Sequence, residues 1–450
     1  MVGVRGSGGL VDARSHPSTL ARHTGIAMMG STTRRARRQS GRQDTRMDWA
    51  DTPEQAAFRA EVREAFVDGI PSYYRERAAR GLDSDWGQDR RSGDPDRENA
   101  ANSWTDALFE HGWFAPHLPK EYGGAGMSPM EQFIFTQERA AAGAPQVGAN
   151  GLALLAPTLI VHGTDEQKAQ YLPGILNGEK LWAQGYSEPG AGSDLAGLQT
   201  RATRDGDEWV INGQKIWTSS AHVADSIFAL VRTDPDAPKH RGISFVLIED
   251  IHTPGLSVRP LVNMGWEHGF NETFFEDVRI PAENVLGEVN RGWYVGMTLL
   301  DFERSNIAGA ISAKRRLDIL TDFLHSEQGQ STTHVSPVTR TEIADRYIES
   351  DVGFNFSFRI ISMQDRGLIP NYEASMTKLF LSEVTQDVAR TAVHCFGLYA
   401  NLWDEDDERS PARAFFTRRY VLDIPGTIAA GSSEIQRNII ATRGLGLPRS

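Results

Sequence analysis

Cysteine is nearly absent from this chain of 450 residues, which contains only Cys395. A single cysteine excludes an internal disulfide framework and is typical of proteins that fold in a reducing compartment. We therefore expect a cytoplasmic protein. An excess of positive charge is missing too, since the formal net charge is −12. That balance argues against a nucleic-acid-binding surface.

A long uninterrupted hydrophobic run is also missing. The stretch between Arg139 and Asp165 has no formal charge and is about long enough to cross a bilayer, but Pro145, Asn150 and Pro157 interrupt it. We expect buried helices there and no membrane segment.

Metal-ligand spacing is absent as well. His162 and His222 stand alone in the sequence, so we expect no metal site.

The first 46 residues differ from the rest of the chain. They contain nine Arg and neither Lys nor Glu, a composition similar to that of an organelle transit peptide. No apolar periodicity supports an amphipathic helix, however. We favour an extension outside the folded protein, either disordered or not native because Met47 is the true start. Residues 1–46 are excluded from the fold prediction.

Helical signals begin directly after this extension. Thr52–Gln55 is typical of a helix start, with Thr as N-cap, Pro at the first helical position and Gln three residues after the cap. Phe58, Val62 and Phe66 then recur at helical spacing. Helices are predicted to continue to about Asn177.

The periodicity then changes to short alternating runs. Arg204–Trp217 contains an Asp-Gly pair and an Asn-Gly pair, and both favour two-residue turns between antiparallel strands. Ile227–Arg232, Ile243–Ile248 and Thr273–Ile280 are further strand candidates. After Pro281 the pattern returns to helix, beginning near Arg291. The chain is thus predicted to be an α+β multidomain protein, with a helical domain at 47–180, a β domain at 181–286 and a helical domain at 287–450.

The most informative motif is Ser187–Asp194, which reads Ser-Glu-Pro-Gly-Ala-Gly-Ser-Asp. It offers hydroxyls, closely spaced backbone N–H groups and three small residues, so a flat or anionic ligand can approach the main chain. Ile216–Ser219, with the sequence Ile-Trp-Thr-Ser, follows one hairpin later.

Together these two motifs resemble the flavin-binding loops of the acyl-CoA dehydrogenase family, and the resemblance extends from about Asp48 to Arg449. It implies a central antiparallel β-barrel between an N-terminal helical domain and a C-terminal four-helix bundle. It also implies FAD as cofactor and an acyl-CoA as substrate. By matching position to position, the FAD contacts are expected from Gln184, Ser187, Gly192, Ser193, Trp217, Ser219, Ser432 and Glu434. Two alternatives stay open: Trp217 is a core residue, and Ser432 and Ser433 only cap a helix beginning near Glu434.

The catalytic base is displaced relative to most of the family. Most members carry it as Glu in a Tyr-Glu-Gly-Thr-Ser loop, and the matching loop here has Ala430 at that position. Asp301–Arg304 resembles the segment in which isovaleryl-CoA and long-chain members keep their base instead. The resemblance therefore makes Glu303 the base. It also implies contacts to CoA or the acyl chain from Ser193, Asp301, Arg304, Ala430 and Gly431.

The sequence around Glu303 suits a base. On a helix its neighbours one turn away are Leu299, Leu300, Asn306 and Ile307, none of which is a cation. A carboxylate among aliphatic side chains is desolvated, which raises its pKa and its basicity. The alternative is an ordinary Glu on a solvated face.

The chain departs from the family in the part of the FAD site that one subunit donates to its neighbour. An Arg-x-x-Phe-Gly motif is matched by Glu327–Ser331, so Glu stands where Arg meets the pyrophosphate. A Gln followed by Gly-Gly-x-Gly is matched by His394–Ala400, which keeps one of three glycines. We therefore expect an α2β2 heteromer with a paralogous subunit. An electron-transfer flavoprotein is expected as electron acceptor.

Two other functions stay open. One is a non-catalytic scaffold subunit, which the intact flavin motif disfavours, and the other is an acyl-CoA oxidase. The placement of the base and the eroded half-site both resemble dehydrogenases of bulky or branched acyl groups such as steroid side chains.

Overall fold

The computed structural model describes residues 51–80, 82–302 and 307–448, without the side chains of 299–302 and 307. The N-terminal part consists of helices α1 Pro53–Gly69, α2 Ser72–Ala79, α3 Trp86–Arg90, α4 Pro95–Glu110, α5 Pro129–Ala142, α6 Ala156–His162 and α7 Asp165–Leu176.

No helix in the described part of the chain is long and apolar enough to span a membrane.

Helix α1 begins as its sequence predicts. The Thr52 side chain accepts from the N–H of Gln55, the Gln55 side chain accepts from the N–H of Thr52, and Pro53 occupies the first turn. Val62 and Phe66 are buried, and Phe58 packs against the same core. The predicted helix start and its apolar face are therefore confirmed.

The central part contains eight strands: β1 Trp182–Gly185, β2 Arg201–Asp205, β3 Glu208–Lys215, β4 Ser226–Arg232, β5 Ile243–Ile248, β6 Leu256–Leu261, β7 Phe270–Pro281 and β8 Val285–Leu286. Their order in the sheet is β6-β7-β3-β2-β4-β5-β8, and β1 pairs with β4. Most pairs are antiparallel, but β1 runs parallel to β4, and β2 meets β4 in parallel at a single position. The antiparallel prediction therefore needs correction at these pairs.

Alternate residues of β4 and β5 serve two cores. Phe228 and Phe245 belong to the core shared with the N-terminal helices. Ile227 and Val246 belong to a second core, together with Trp209 and other side chains of β3 and β7. The sheet therefore wraps around its own core, as expected for a barrel-like domain, and one outer face is covered by helices.

The predicted turn at Asn212-Gly213 is wrong. Both residues lie inside β3, where the register of the β3–β7 ladder shifts between Ile211 and Gly213. Gly213 is needed for close approach, because a Cβ there would lie 2.6 Å from the Cα of Thr200 on the neighbouring segment. The Asp-Gly turn at Gly206, by contrast, does join β2 to β3.

The register shift reflects a bulge in β7. Asp277, whose φ is +51°, occupies the bulge. The Asn212 Oδ1 accepts from the N–H of Asp277 at 2.9 Å, and the Asn212 Nδ2 donates to the Asp277 Oδ1 at 2.9 Å. The extra residue changes which side of β7 alternate side chains face, a common effect of bulges.

The C-terminal part is helical, as predicted: α8 Gly292–Phe302, α9 Ile307–His325, α10 Glu327–Thr332, α11 Pro337–Asp365, α12 Tyr372–Phe396, α13 Phe415–Leu422 and α14 Ser433–Ile439. The three long helices α9, α11 and α12 pack on one another, and the shorter α13 and α14 pack on α12. The boundaries predicted near residues 180 and 286 stay a prediction.

Candidate functional site

The two motifs singled out in the sequence lie side by side. The N–H of Ile216 donates to the main-chain oxygen of Ser187 at 2.9 Å. Ser187 follows β1, and Ile216 follows β3. The two loops therefore leave the sheet at one place and form a common surface, which we call the double loop (residues 187–194 and 216–220).

The first half of the double loop is a tight turn with open space above it. Glu188 and Ala191 exchange two backbone hydrogen bonds of 3.0 Å. A Cβ added at Gly190 or Gly192 would meet no atom within 4 Å, and the N–H groups of Gly190, Gly192 and Ser193 have no acceptor within the described part of the chain. Such unpaired N–H groups in a turn are suited to bind an anionic or polar ligand edge.

A buried ion pair holds this turn from below. The Lys215 ammonium is fully buried and donates to the Glu188 Oε1 at 2.8 Å and to the main-chain oxygen of Tyr186 at 3.1 Å. The Glu188 carboxylate also accepts from the N–H groups of Gln199 at 2.6 Å and Thr200 at 2.9 Å. The Lys215 contacts fix the turn with respect to β3, and those of Gln199 and Thr200 tie it to the segment before β2.

The protonation of this pair follows from its surroundings. Burial lowers the pKa of Lys215 to about 8, against the opposing effect of the Glu188 carboxylate. Burial opposes ionisation of Glu188, but the Lys215 charge and the hydrogen bonds it receives bring its pKa below the ordinary value. Both groups are therefore ionised at neutral pH.

Trp217 stands in the second half of the double loop and is not a core residue. It is 54% exposed, it has a left-handed backbone with φ of +60°, and its ring contacts Phe270 edge-on at 5.9 Å. Ser219 beside it is exposed. An exposed indole next to an open glycine turn offers a flat ligand a surface for stacking. Gln184, in β1, is half-buried.

The C-terminal loop is held by α12 and α14. Ala430 and Gly431 have positive φ values of +51° and +82°. The Gln436 Nε2 donates to the Ala430 oxygen at 2.9 Å, and the Lys378 Nζ donates to the Gly431 oxygen at 2.7 Å. The N–H of Ala430 has no acceptor among the described residues, so it is available to a ligand oxygen.

Ser432 is the N-cap of α14. Its Oγ accepts from the N–H of Ile435 at 3.4 Å, which confirms that Ser432 caps this helix. This bond leaves the hydroxyl hydrogen free to donate to a ligand. Glu434 lies in the first turn of α14 and is exposed.

Three predicted site residues cannot be compared with the structure. Glu303 and Arg304 lie outside the described residues, and Asp301 is described only as part of the backbone of α8. Their roles stay predictions.

One of the two segments expected to be donated to a neighbour, Glu327–Ser331, contacts an acidic loop. Glu327 is exposed at the first position of α10, and the Gln328 Nε2 donates to the Glu408 oxygen at 2.6 Å. Residues 404–408 read Asp-Glu-Asp-Asp-Glu. Gly397 has φ of +54°, and Leu398 after it is 89% exposed.

Sequence reasoning missed two polar residues that support the double loop. Lys215 and Asn271 are both fully buried, and both lie at inward positions of their strands. Lys215 lies at the same alternate positions as the apolar residues Trp209 and Ile211. This pattern could have identified it as an inward-facing residue. In β7 the buried positions change from odd to even numbers at the bulge. Alternation along the sequence therefore does not assign Asn271 to the inner face of the strand.

Family models match the chain over most of its length. In chain order they are the N-terminal domain (residues 52–179), the middle domain (183–278) and the C-terminal domain (290–445) of acyl-CoA dehydrogenase. The middle-domain match contains the double loop. The class of protein that fold and site define is therefore an oxidoreductase.

The chain belongs to the acyl-CoA dehydrogenase family. Flavin-dependent dehydrogenation of acyl-CoA thioesters is the function of this family, whose members are flavoproteins. The predicted family, fold class and enzyme class are thus confirmed.

Three similar proteins are informative. Acyl-CoA dehydrogenase IpdE1 of Mycobacterium tuberculosis is 35% identical over 87% of this chain and 97% of its own length. The structure "Tcur3481-Tcur3483 steroid ACAD" has a TM-score of 0.76 and 34% identity over 90% of this chain and 100% of its own. The ChsE4-ChsE5 complex of Mycobacterium tuberculosis has a TM-score of 0.72 and 32% identity, with 90% and 100% covered. The last two are complexes of two different chains by their titles.

Proposed function

We propose that this chain binds FAD at the double loop and desaturates an acyl-CoA between Cα and Cβ, with Glu303 as the base. The observation that supports this most directly is the hydrogen bond from Ile216 to Ser187, which brings the glycine turn and Trp217 onto one surface. The open space above Gly190 and Gly192 fits a planar cofactor. FAD would accept the hydride from Cβ.

The residues of this chain would hold the cofactor and the substrate in two groups. FAD would be held by Gln184, Ser187, Gly192, Ser193, Trp217, Ser219, Ser432 and Glu434. The acyl-CoA would be held by Ser193, Asp301, Arg304, Ala430 and Gly431.

Proton removal requires a base and a donor to the thioester oxygen. In the proposed reaction the Glu303 carboxylate accepts the proton from Cα. Charge then develops on the thioester oxygen, where a positioned N–H stabilises it. The N–H of Ala430 is free for this purpose, and its left-handed backbone is fixed through Gln436. Loss of the loop carboxylate therefore does not remove the oxyanion donor.

The geometry of the Ala430 loop can be tested by moving the base back. In the double variant Glu303→Ala, Ala430→Glu, we expect activity to recover by about tenfold or more over Glu303→Ala, because positioned bases contribute about 10²–10⁴ in rate. Ala430 already has positive φ, so Glu there keeps the backbone conformation.

The matched control for this recovery is Glu303→Ala, Ala429→Glu, which places the same carboxylate one residue away. If the two double variants are equally inactive while both retain flavin, the assignment of the loop is wrong. Ala430→Glu alone should not improve the enzyme, since two neighbouring carboxylates raise one another's pKa.

We also propose that the chain works in an α2β2 complex with a paralogous subunit. A pyrophosphate beside Glu327 would meet a carboxylate in place of a guanidinium, with repulsion in place of bidentate hydrogen bonds. The acidic loop 404–408 lies close by through the contact of Gln328 with Glu408. Each heterodimer would then hold one FAD, with the second half of the site supplied by the paralogue.

The similar structures support further parts of this proposal. Two of them are complexes of two chains, and one is titled a steroid enzyme. We infer a bulky or branched acyl group as substrate, and an electron-transfer flavoprotein as the acceptor of electrons. The cytoplasmic location stays a prediction.

Assembly gives a direct test. Expressed alone, the chain should be poor in flavin or poorly soluble. Co-expression with a paralogue that carries the Arg-x-x-Phe-Gly motif should give yellow, active protein. Native mass spectrometry of this complex should find one FAD per heterodimer. Glu327→Arg alone should not restore flavin to the isolated chain, because the glycines near Gly397 are still missing. A homotetramer of this chain with full flavin occupancy and turnover would contradict the proposal.

A further inference from the structure

His222 is not isolated in the folded chain. Its ring stacks on that of His268, with 4.0 Å between the centroids and 29° between the planes. Asn271 contacts both rings: its Nδ2 lies 3.1 Å from the His222 Nδ1, and its Oδ1 lies 2.8 Å from the His268 Nε2. Three residues from two segments of the chain thus form one hydrogen-bonded cluster, which we call the Asn271 cluster (His222, His268 and Asn271).

The Asn271 cluster is hydrogen-bonded to the second half of the double loop. The Asn271 Nδ2 donates to the main-chain oxygen of Thr218 at 3.0 Å, and the main-chain oxygen of Asn271 accepts from the N–H of Thr218 at 3.0 Å. The N–H of Ser220 donates to the oxygen of Gly269 at 3.0 Å. Asn271 and Thr218 are both fully buried, so these bonds are shielded from water.

The segment that is held in this way is strained. Trp217 has φ of +60° and Ser220 has φ of +55°, although neither is glycine. Non-glycine residues keep such a conformation only where the surroundings fix it. The contacts of Asn271 on Thr218, between these two residues, supply that constraint.

We propose that Asn271 is a positioning residue, which holds Trp217 and Ser219 in place for the flavin, and that protonation of His222 releases this hold. The inference rests on the proposed function, because it takes the double loop as the FAD site. Asn271 acts through Thr218 and does not itself contact the cofactor.

The hydrogen bonds themselves fix the protonation state. The carbonyl of Thr218 can only accept, so the Asn271 amide must turn its nitrogen towards it. The second hydrogen of that nitrogen points to the His222 Nδ1, which must then carry a lone pair. His222 is therefore neutral, with its proton on Nε2. A proton on Nδ1 would face the amide N–H and break the bond.

The charges around His222 act in both directions. Burial and the neighbouring His268 lower the pKa of His222, while the Asp85 carboxylate opposes them. The pKa of His222 is therefore below its ordinary value of 6.5. The folded state therefore binds fewer protons than the unfolded state as the pH falls through 6.5, and the cluster loses stability on the acid side.

Hydrogen exchange on the complex with the paralogue, freed of flavin, tests the cluster without cofactor. In the parent, protection of peptides covering Trp217–Ser220, corrected for the intrinsic exchange rate, should fall about tenfold from about pH 7.5 to about pH 5.5, the size expected for one buried hydrogen bond. His222→Gln offers a neutral acceptor at every pH and should remove this pH dependence. Asn271→Ser should give low protection at both pH values.

His252→Gln is the matched control, because His252 is an exposed histidine in the same domain. It should behave as the parent. If protection in the parent does not depend on pH, or if His222→Gln keeps the same dependence, the proposal is wrong.

A second measurement connects the cluster to the flavin. In the complex with the paralogue, the Kd for FAD should rise about tenfold over the same pH range in the parent, and should stay constant in His222→Gln. If protection changes as expected while the Kd for FAD does not, the positioning role is wrong although the cluster exists. If the parent complex binds no FAD at any pH, the proposed function fails, and the exchange data still decide whether the cluster forms.

Discussion

Glu303→Gln should lower the rate of substrate-dependent flavin reduction by about 10²–10⁴, the usual contribution of a positioned general base. Gln has nearly the same shape as Glu but cannot accept the α-proton. Glu303 lies outside the double loop, so the flavin content should be unchanged. The measurement is the loss of visible flavin absorbance under anaerobic conditions, with an acyl-CoA that the parent complex oxidises.

The matched control is Glu288→Gln, since Glu288 is exposed and lies shortly before α8. It removes the same charge outside the site and should reduce its flavin at the parental rate. A Glu303→Gln variant that does the same would show that another group takes the proton. The assignment of the base would then be wrong, while the family and the flavin site would stand.

Lys215→Met should lower the free energy of unfolding by about 3–5 kcal/mol, the range for removing one partner of a buried ion pair. Met is similar in length and keeps the packing, but Glu188 would lose its counter-charge in a buried position. The two N–H groups that donate to Glu188 stay in place, so the loss should not exceed this range. Urea denaturation of the purified complex measures the change.

Lys239→Met provides the comparison for a surface pair. Lys239 is half-exposed and contacts Asp194, so its loss should cost at most about 1 kcal/mol. Lys215→Met, Glu188→Gln should recover part of the lost stability, because the second change removes the buried charge. A loss below about 1 kcal/mol for Lys215→Met alone would contradict the view that the pair holds the turn.

Local signals in the sequence predicted the elements that depend on local chemistry. The capping residues at Thr52 and Gln55 placed the start of α1, and the apolar run Ile243–Ile248 placed β5. The resemblance of Ser187–Asp194 and Ile216–Ser219 indicated the family and the proposed cofactor, and their contact in the structure agrees with a shared surface.

Features that depend on distant residues were not predictable in this way. Asn212-Gly213 has the composition of a turn, but its role depends on Asp277 and Thr200, far along the chain. The parallel pairing of β1 with β4 has no local signal either. The sequence does not decide whether Trp217 lies in the core or on a ligand surface, since its burial depends on what packs against it.

The bulge at Asp277 sets a condition on insertions and deletions in this domain. Buried side chains fall on odd numbers up to Phe275 and on even numbers from Val278 onward. One exposed residue thus lets the polar half of β7, with Asn271 and Thr273, share an interior with its apolar half. Deleting Asp277 would leave one of these halves facing the wrong way. The length of β7 is therefore constrained at a position whose own side chain is on the surface, and tolerance to substitution there does not mean tolerance to deletion.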